Sequence, residues 1–342
     1  MSNKPYVRVA VGVILREDGA VLLSSRPADK PWAHWWELAG GKIEPNESVL
    51  EALSRELKEE LGINITQAQP WVKYLHHYPS GTVELNFYRV TAWEGEPTPL
   101  ENQKVVWQHP GQPIPLSIGP ILPATFPVLS WLRLADRYLL SSIGSTAGIA
   151  PWLQRLKDAL ENGVGLVQFR EPAWAAAATT EAVQAEIFEV LQQTVALCDQ
   201  YGAYCLLNSV HPTEWLPHTD GLHLRSSDAA ALVAQQQSAA ITEGQLLAVS
   251  THNAAEIALA KQLNCDFVVL GHVLPTPSHP DEEPLGWEVF EALAAEAGRP
   301  VFAIGGMADI VGKARSHHKA RSHRDIARSH GGHGIAGIRG IG

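Results

Sequence analysis

The sequence has little cysteine, no long apolar run and no excess of positive charge. Its three cysteines (Cys198, Cys205, Cys265) form no CxxC pair, which disfavours a disulfide framework and predicts reduced, buried thiols in a cytoplasmic protein. No segment approaches the roughly 18 uninterrupted apolar residues of a membrane span, so we expect no membrane association. The formal net charge of -10 argues against a general nucleic-acid-binding surface. It is compatible with a nucleotide as a small ligand, because a bound cation can reverse the local charge.

The chain is long and apolar enough for two domains, with 342 residues of which 45% are hydrophobic. The first domain, residues 1–133, combines predicted strands with two helices. Ser48 and Glu51 form an S-x-x-E capping box at the start of the first helix, and Gly62 marks its end. The strands are predicted at 6–15, 20–24, 71–78, 83–93 and 104–108, and the helices at about 48–61 and 126–136.

The second domain, residues 137–342, has a different pattern, in which short β-like runs alternate with alanine-rich helical stretches or loops. Eight such runs predict a (β/α)8 barrel, with a doubly wound open sheet as the competing architecture. Because the last run lies at the end of the sequence, we expect a TIM barrel that lacks a closing helix. The runs are 137–142, 165–171, 204–209, 221–225, 246–251, 266–273, 300–306 and 334–340.

Three glutamates crowd one face of the first helix. Glu56, Glu59 and Glu60 lie three and four positions apart, where like charges repel by a few tenths of a kcal/mol per pair. A hard divalent cation, Mg²⁺ or Mn²⁺, would offset this repulsion, since such ions prefer oxygen ligands and bridge carboxylates to phosphates. The alternative for a glutamate-rich helix taken alone is a solvated acidic surface.

The surrounding residues favour the metal. Residues 41–63, GKIEPNESVLEALSRELKEELGI, fill every specified position of the pattern G-x5-E-x7-R-E-U-x-E-E-x-G-U, where U is aliphatic. In this segment the chain resembles the Nudix family. The resemblance implies an α/β/α sandwich that hydrolyses a nucleoside diphosphate linked to another group, with water attacking a phosphorus of the bridge.

The same resemblance implies roles for individual residues. Glu56 and Glu60 would be the main metal ligands, and Glu59 a ligand or base relay. The carbonyl oxygen of Gly40 would be a further ligand. Arg55 would orient the carboxylates through Glu47 and not touch the substrate.

The first domain is similar to the MutT group of that family along residues 5–133, through AVGVI, SSRPAD, WELAGGKIE, LNFYRVTAWEGEP and PATFPVLSWL. This implies 8-oxo-dGTP as the substrate and Glu101 as a further metal-binding or catalytic residue. Contacts to the substrate would come from Arg26, Glu37, Leu38 and Thr125. Thr125 stands where the group has an asparagine that reads the purine. A hydroxyl replaces an amide there, so we expect weaker recognition of 8-oxoguanine.

The second domain resembles the thiamin phosphate synthase/TenI superfamily of (β/α)8 barrels, through LVQFRE, LLNS, GLHLRSSDA, AVSTHN, CDFVVLGHVLPTPSH and PVFAIGGM. Synthases of this group hold pyrophosphate and Mg²⁺ with lysines and an aspartate. In this chain those positions are Pro172, His279 and Ser209, which should impair diphosphate handling. The residues that would still bind a ligand are Arg170, Asn208, Asp228, Gly305 and Gly306, the two glycines as a phosphate cradle at the barrel mouth.

The motif Gly271-His272-Val273 matches TenI, a thiazole tautomerase in which this histidine is the acid/base. A histidine at the carboxyl end of a barrel strand is suited to moving protons. Three interpretations of the barrel therefore stay open: a tautomerase with His272 as the catalytic group, a ligand-binding or regulatory module, or an inert fold.

Residues 313–333 form an irregular His/Arg-rich repeat, with ARSH starting at 314, 320 and 327. It occupies the place of the helix between the seventh and eighth strands. We interpret it as a repeat expansion that is exposed or disordered. Metal binding is the alternative, and it would use five histidines: His317, His318, His323, His330 and His333.

Together these features predict a bifunctional protein. The first domain would hydrolyse a nucleoside triphosphate to the monophosphate and pyrophosphate with Mg²⁺ or Mn²⁺, and the barrel would bind a thiamin-pathway ligand. The alternative is a Nudix enzyme acting on another diphosphate, such as a thiamin diphosphate analogue, with the barrel as a non-catalytic sensor.

Overall fold

A computed structural model describes residues 6–115, 117–276, 280–307 and 322–337. The chain divides into two compact units, Met1–Arg133 and Leu134–Gly342. None of the helices in the described ranges combines the length and apolar character that crossing a membrane requires.

In its described residues, the first unit contains two small sheets and two helices. One sheet has the strand order β4-β1-β6-β5 and the other has the order β3-β2-β7. The strands are β1 Tyr6–Ile14, β2 Val21–Ser25, β3 Trp36–Glu37, β4 Gly40–Lys42, β5 Asn64–Tyr78, β6 Gly81–Glu94 and β7 Val105–Gln108. The helices are α1 Val49–Leu61 and α2 Phe126–Trp131, so the second is shorter than the predicted 126–136 and ends before the boundary between the units.

The side chains of β1 alternate between two separate cores, as expected for a strand covered on both faces. Ala10 and Ile14 are buried with the apolar residues of α1, whereas Val11 and Val13 are buried with those of α2. A helix therefore lies on each side of the sheet, which confirms the predicted α/β/α sandwich.

Helix α1 begins and ends at the predicted residues. Ser48 accepts a hydrogen bond from the Glu51 backbone at 3.3 Å, and the Glu51 carboxylate accepts one from the Ser48 backbone at 2.8 Å. Gly62 ends the helix in the left-handed conformation, with φ of 69°. Its buried residues form one stripe (Ala52, Leu53, Leu57, Leu61), so the glutamates are left to the loop and the solvent.

The second unit is a closed barrel of eight parallel strands, in the order β10-β11-β12-β13-β14-β15-β8-β9. Its strands are β8 Arg137–Leu140, β9 Leu166–Phe169, β10 Tyr204–Asn208, β11 Gly221–Leu224, β12 Leu246–Thr251, β13 Phe267–Gly271, β14 Val301–Ile304 and β15 Gly334–Gly337. The α-helices of this unit are α3 Ile149–Glu161, α4 Pro172–Ala177, α5 Glu181–Gln200, α6 Ser226–Ala234, α7 Ala254–Gln262, α8 Gly286–Ala297 and α9 His323–Ser329.

Closure of the barrel decides between the two architectures predicted for this unit. The last strand, β15, pairs with β14 on one side and with β8 on the other, so no open sheet edge remains. The (β/α)8 prediction is confirmed and the doubly wound sheet is excluded. The predicted lack of a closing helix concerns residues 338–342, which lie outside the described ranges.

The end of the histidine-rich repeat is an ordered helix, which corrects the expectation of an exposed or disordered segment. Ser322 caps α9 by accepting a hydrogen bond from the Asp325 backbone at 3.2 Å. Ala327 is completely buried, and Arg328 contacts Asp136 at 2.7 Å. A buried methyl and an ion pair stabilise the helix against the barrel. Residues 308–321, which include His317 and His318, lie outside the described ranges.

Candidate functional site

The glycine loop and the glutamate helix meet at β4. A Cβ on Gly41 would come within 2.1 Å of the Glu56 carboxylate, which therefore lies directly against the loop backbone. The backbone N–H of Gly40 donates a hydrogen bond to the Glu60 carboxylate at 3.2 Å. The structure thus brings Glu56 and Glu60 to the same loop, and glycine is needed at 41 because any side chain would displace Glu56.

Arg55 ties α1 to the loop after β4. Its Nε and Nη2 donate to the two oxygens of Glu47, each at 3.0 Å, and Nη2 also donates to the Lys42 carbonyl oxygen at 3.1 Å. Its Nη1 donates to Glu56 at 2.8 Å and more weakly to Glu59 at 3.4 Å. A two-pronged arginine–carboxylate pair fixes orientation as well as distance. Arg55 therefore holds the Glu56 carboxylate in place through the contact with Glu47 that the sequence suggested.

Glu60 carries the least compensated charge of the site. Burial raises its pKa to about 7, in spite of the hydrogen bond from Gly40, and the nearby Glu37 charge adds to this effect. The ion pairs among the described residues include none to Glu60. A buried carboxylate of this kind is stabilised when a cation binds it.

Glu101 lies on a loop that is fastened to the end of α1. The Gln103 amide accepts a hydrogen bond from the Glu101 backbone and donates one to the Glu60 carbonyl oxygen, both at 2.7 Å. The Glu101 carboxylate itself pairs with Lys30 at 2.9 Å. Gln103 is buried, and sequence reasoning missed it because Glu60, the partner that links it to α1, lies 43 positions away in the chain.

The donor set of this site suits a hard divalent cation. The carboxylates of Glu56 and Glu60 and the backbone of Gly40 supply only oxygen ligands, which Mg²⁺ and Mn²⁺ prefer. Within the described ranges no three His, Cys, Asp or Glu side chains are already gathered closely enough to hold an ion. Arg55 pairs with Glu56, Glu47 and Glu59, and Lys30 pairs with Glu101, so a bound cation would take over part of the role of these two residues.

Two of the predicted substrate contacts form an ion pair beside this site. Arg26 Nη1 donates to both carboxylate oxygens of Glu37, at 2.6 and 2.7 Å, and Arg26 Nε donates to the Pro31 carbonyl oxygen at 2.7 Å. Burial raises the pKa of Glu37 even though Arg26 opposes that shift. Leu38, the next residue, is buried in the core. Arg26 and Glu37 are therefore held together, whereas Leu38 belongs to the packing beneath them.

Tyr78 lies close to this ion pair and to the backbone of Ala124, the residue before Thr125, and sequence reasoning missed it. The charges of Glu37 and Arg26 and the backbone of Ala124 all act on the Tyr78 hydroxyl, whose pKa burial raises. Thr125 follows Ala124 and is buried, with no capping hydrogen bond from its side chain. The signal was present in the sequence as an alternation of aromatic side chains along β5, at positions 74, 76 and 78.

The barrel encloses a chain of hydrogen bonds between side chains of five strands. Asn208 donates to Gln168 at 3.2 Å, and Gln168 donates to the Tyr138 hydroxyl at 3.1 Å. Tyr138 lies 3.0 Å from His223 Nδ1, and His223 Nε2 lies 2.8 Å from the Ser250 hydroxyl. Both the nitrogen and the oxygen of the Asn208 side-chain amide are used, because the oxygen accepts a hydrogen bond from the backbone N–H of residue 210. Asn208 therefore organises the barrel interior, together with four residues that sequence reasoning did not single out.

His272 follows β13 at the barrel mouth, with its Nε2 3.2 Å from the Glu282 carbonyl oxygen. Gly305 and Gly306 pack against the same segment. A Cβ on Gly305 would come within 2.3 Å of the His272 Cβ, and one on Gly306 within 2.6 Å of the Leu274 Cβ. Both glycines also have positive φ, 95° and 71°. Close packing is therefore sufficient to explain why these two positions are glycine.

The two remaining ligand candidates follow strands β9 and β11, which lie on either side of β10 in the barrel. Arg170 follows β9 directly, and Asp228 lies in the first turn of α6. Asp228 is paired with Arg225 at 2.7 Å, a contact that sequence reasoning did not foresee. Three histidines of the repeat are described: His323 begins α9, His330 contacts Glu291 at 2.7 Å, and His333 is buried against the Leu134 carbonyl oxygen at 2.9 Å.

These features define two classes of protein in one chain, a Nudix-type sandwich and a thiamin-synthase-type barrel. A family model described as NUDIX domain matches residues 5–131, and one described as thiamine monophosphate synthase matches residues 138–323. The chain belongs to the Nudix family through its first domain and to the thiamine monophosphate synthase family through its second.

Three similar proteins each match one of the two domains. The first domain is 37% identical over 119 residues to a CTP pyrophosphohydrolase of Escherichia coli, covering 35% of this chain and 86% of that protein. It is 38% identical over 98 residues to an 8-oxo-dGTP diphosphatase of Proteus vulgaris, covering 29% of this chain and 88% of that protein. The barrel is 33% identical over 153 residues to a thiamine-phosphate synthase of Synechococcus sp., covering 45% of this chain and 40% of that protein.

Proposed function

We propose that the first domain hydrolyses a nucleoside triphosphate to the monophosphate and pyrophosphate with Mg²⁺ or Mn²⁺. The observation that supports this most is the seating of the Glu56 and Glu60 carboxylates against the Gly40–Gly41 backbone, with Arg55 bracing Glu56. A pair of carboxylates held at a backbone loop is suited to binding a divalent cation together with phosphate oxygens.

The residues of the site would have different roles in this reaction. Glu56 and Glu60, with the Gly40 carbonyl, would hold the cation, which when bound offsets phosphate charge and activates water. Arg55 would keep Glu56 oriented, because it already fixes that carboxylate against Glu47. Glu59, the most exposed of these carboxylates, and Glu101 are the candidates that accept a proton from the attacking water.

The substrate proposed for this site is oxidised dGTP, 8-oxo-dGTP, so that the enzyme would remove damaged nucleotides from the pool used for DNA synthesis. The Arg26–Glu37 pair, Tyr78 and Thr125 would contact the nucleoside. The aromatic ring of Tyr78 offers a stacking surface for a base, and its centroid is 6.2 Å from that of the exposed Trp32. CTP is the competing nucleotide, since one similar protein is a CTP pyrophosphohydrolase.

A panel of substrates tests this proposal. We expect the full chain with Mg²⁺ to release pyrophosphate from 8-oxo-dGTP, dGTP or CTP, and EDTA to abolish the release, because the carboxylates cannot offset phosphate charge by themselves. Pyrophosphate is measured enzymatically and the nucleoside monophosphate by chromatography. If none of these nucleotides is cleaved, the proposal is wrong, whatever the thiamin compounds do.

Changing Thr125 to Asn tests the purine-reading role of that position. An amide offers a donor and an acceptor where the hydroxyl offers one group, so we expect the ratio of kcat/KM for 8-oxo-dGTP to that for CTP to rise about tenfold. Ser117→Asn, an exposed amide substitution in the same domain, is the matched control and should leave the ratio unchanged. An unchanged ratio for Thr125→Asn would show that this residue does not read the base.

A thiamin diphosphate analogue is the second candidate substrate, and the observation that favours it is the fusion to a thiamine monophosphate synthase-family barrel. For the barrel we propose binding of a thiamin-pathway ligand, with His272 placed to move a proton if the ligand is a thiazole. Thiamin-type diphosphates therefore belong in the same panel. Cleavage of these compounds faster than of any nucleotide would favour this candidate.

A further inference from the structure

The loop between β2 and β3 brings a lysine to the edge of the glutamate site. Lys30 Nζ lies 2.9 Å from a carboxylate oxygen of Glu101. Glu101 is in turn held at the end of α1, because the Gln103 amide joins its backbone N–H to the Glu60 carbonyl oxygen. Burial raises the pKa of Glu60, and the charge of Lys30 opposes that rise. The Lys30 ammonium is therefore a positive charge beside the carboxylates proposed to hold the divalent cation.

The ion pair between Lys30 and Glu101 can be exchanged at little cost. The two side chains are 42% and 41% exposed, and among the described residues Glu101 is the single partner of the Lys30 ammonium. The guanidinium groups of Arg26 and Arg55, by contrast, are each held by at least two residues. An exposed ion pair changes an equilibrium by about fivefold at most, so a ligand with more charge can replace it.

The loop that carries Lys30 is fixed at its base and exposed at its tip. At the base, the backbone N–H of Arg26 donates to the Trp35 carbonyl oxygen at 2.8 Å, and that of His34 donates to the Arg26 carbonyl oxygen at 3.0 Å. Residues 28–32, at the tip, are exposed. Because a lysine has a flexible four-carbon stem, the ammonium can change partner while the base of the loop stays in place.

We propose that Lys30 is a substrate-binding residue that leaves Glu101 for the triphosphate of the nucleotide. Before the cation binds, the ammonium offsets carboxylate charge beside Glu60. Once cation and nucleotide are bound, the ammonium pairs with a phosphate oxygen, which a compact positive charge suits. A carboxylate paired with an ammonium is a weaker base, so Glu101 becomes available for hydrolysis only when the substrate is present. The inference rests on the nucleoside triphosphate hydrolysis proposed above.

Lys30→Gln should change metal binding and nucleotide binding in opposite directions. Without nucleotide, we expect the Kd for Mn²⁺, measured by electron paramagnetic resonance, to fall about two- to fivefold, because a charge that repels the ion is lost. Nucleotide binding is measured by calorimetry at saturating Mg²⁺ with α,β-methylene-dGTP, which cannot be cleaved between its α- and β-phosphates. Its Kd should rise about tenfold, because a charge-assisted hydrogen bond is lost. A lysine that only supported the loop would give weaker binding of both.

A double variant separates phosphate binding from support of the Glu101 loop. Adding Lys30→Gln to Glu101→Gln should still raise the Kd of the analogue about tenfold, because the contact to phosphate does not require Glu101. If the second substitution has no effect in that background, Lys30 acts only by holding Glu101 and the proposal is wrong. Lys30→Arg, which keeps the positive charge, should bind the analogue nearly as tightly as the unmodified chain.

Lys58→Gln is the matched control, because it removes an exposed lysine from α1 and changes the net charge by the same amount. It should leave both Kd values unchanged. Weaker Mn²⁺ binding by Lys30→Gln, or an unchanged Kd for the analogue, overturns the proposal, as does an unmodified chain that does not bind the analogue. Failure of the hydrolase proposal is a different result, the absence of nucleotide cleavage by the unmodified chain, whereas these titrations involve no cleavage.

Discussion

Glu56→Gln is expected to lower kcat for nucleotide hydrolysis by about 1,000-fold, or about 4 kcal/mol of transition-state stabilisation. Glutamine keeps the shape of the side chain and can still accept the hydrogen bond that Arg55 donates at 2.8 Å. It removes the negative charge that would hold the cation at the Gly41 backbone. The substitution therefore removes the charge without disturbing the fold, and the midpoint of thermal unfolding should shift by only a few degrees. Hydrolysis is measured at saturating nucleotide, and Mn²⁺ binding by electron paramagnetic resonance.

Two other glutamates provide the comparison for this variant. Glu59→Gln should cost less, about tenfold, because Glu101 can still accept the proton from water and the Glu59 side chain, 56% exposed, makes only the 3.4 Å contact to Arg55 among the described residues. Glu96→Gln, at an exposed position outside the site, should retain full activity. If Glu56→Gln keeps more than a tenth of the activity, Glu56 does not bind the catalytic metal.

Replacing Gly40 by alanine should lower thermal stability, whereas replacing Gly41 by alanine should lower activity. A Cβ on Gly40 would lie 2.2 Å from the Ala10 carbonyl oxygen, in a backbone conformation with φ of 147°. Because backbone cannot move aside, we expect the thermal midpoint of the first domain to fall by about 10 °C or more. The three atoms nearest to a Cβ on Gly41 would all belong to the end of the flexible Glu56 side chain, the closest at 2.1 Å. That variant should fold normally and lose activity about 10- to 100-fold, because the carboxylate is displaced.

Calorimetry and the hydrolysis assay distinguish the two outcomes. Gly111→Ala is the matched control, because nothing lies within 4 Å of a Cβ at that exposed position and its φ is not positive. It should change neither the midpoint nor the rate. Equal activity in Gly41→Ala and the unmodified chain would show that the Glu56 carboxylate need not lie against the loop.

Local sequence was sufficient for most elements of the fold. The capping box at Ser48 and the stop at Gly62 predicted α1 correctly, because helix ends are determined by hydrogen bonds within a few residues. All eight barrel strands lie within the predicted runs, since short apolar segments between helices have few alternatives. The helix in the histidine-rich repeat was missed. Its stability depends on burial of Ala327 and on the contact between Arg328 and Asp136, which are 192 positions apart in the chain.

By itself, the sequence determined the two families, the glutamate helix and the glycine loop, because residues at fixed short spacing on a helix share a face in any fold. Only the tertiary structure decided which charges are paired. It placed Arg26 on Glu37 and Lys30 on Glu101. It also left the Arg170 guanidinium without a partner among the described residues. Charge pairing depends on distances across loops and strands that are brought together by packing of the cores, and composition and spacing contain no record of those distances.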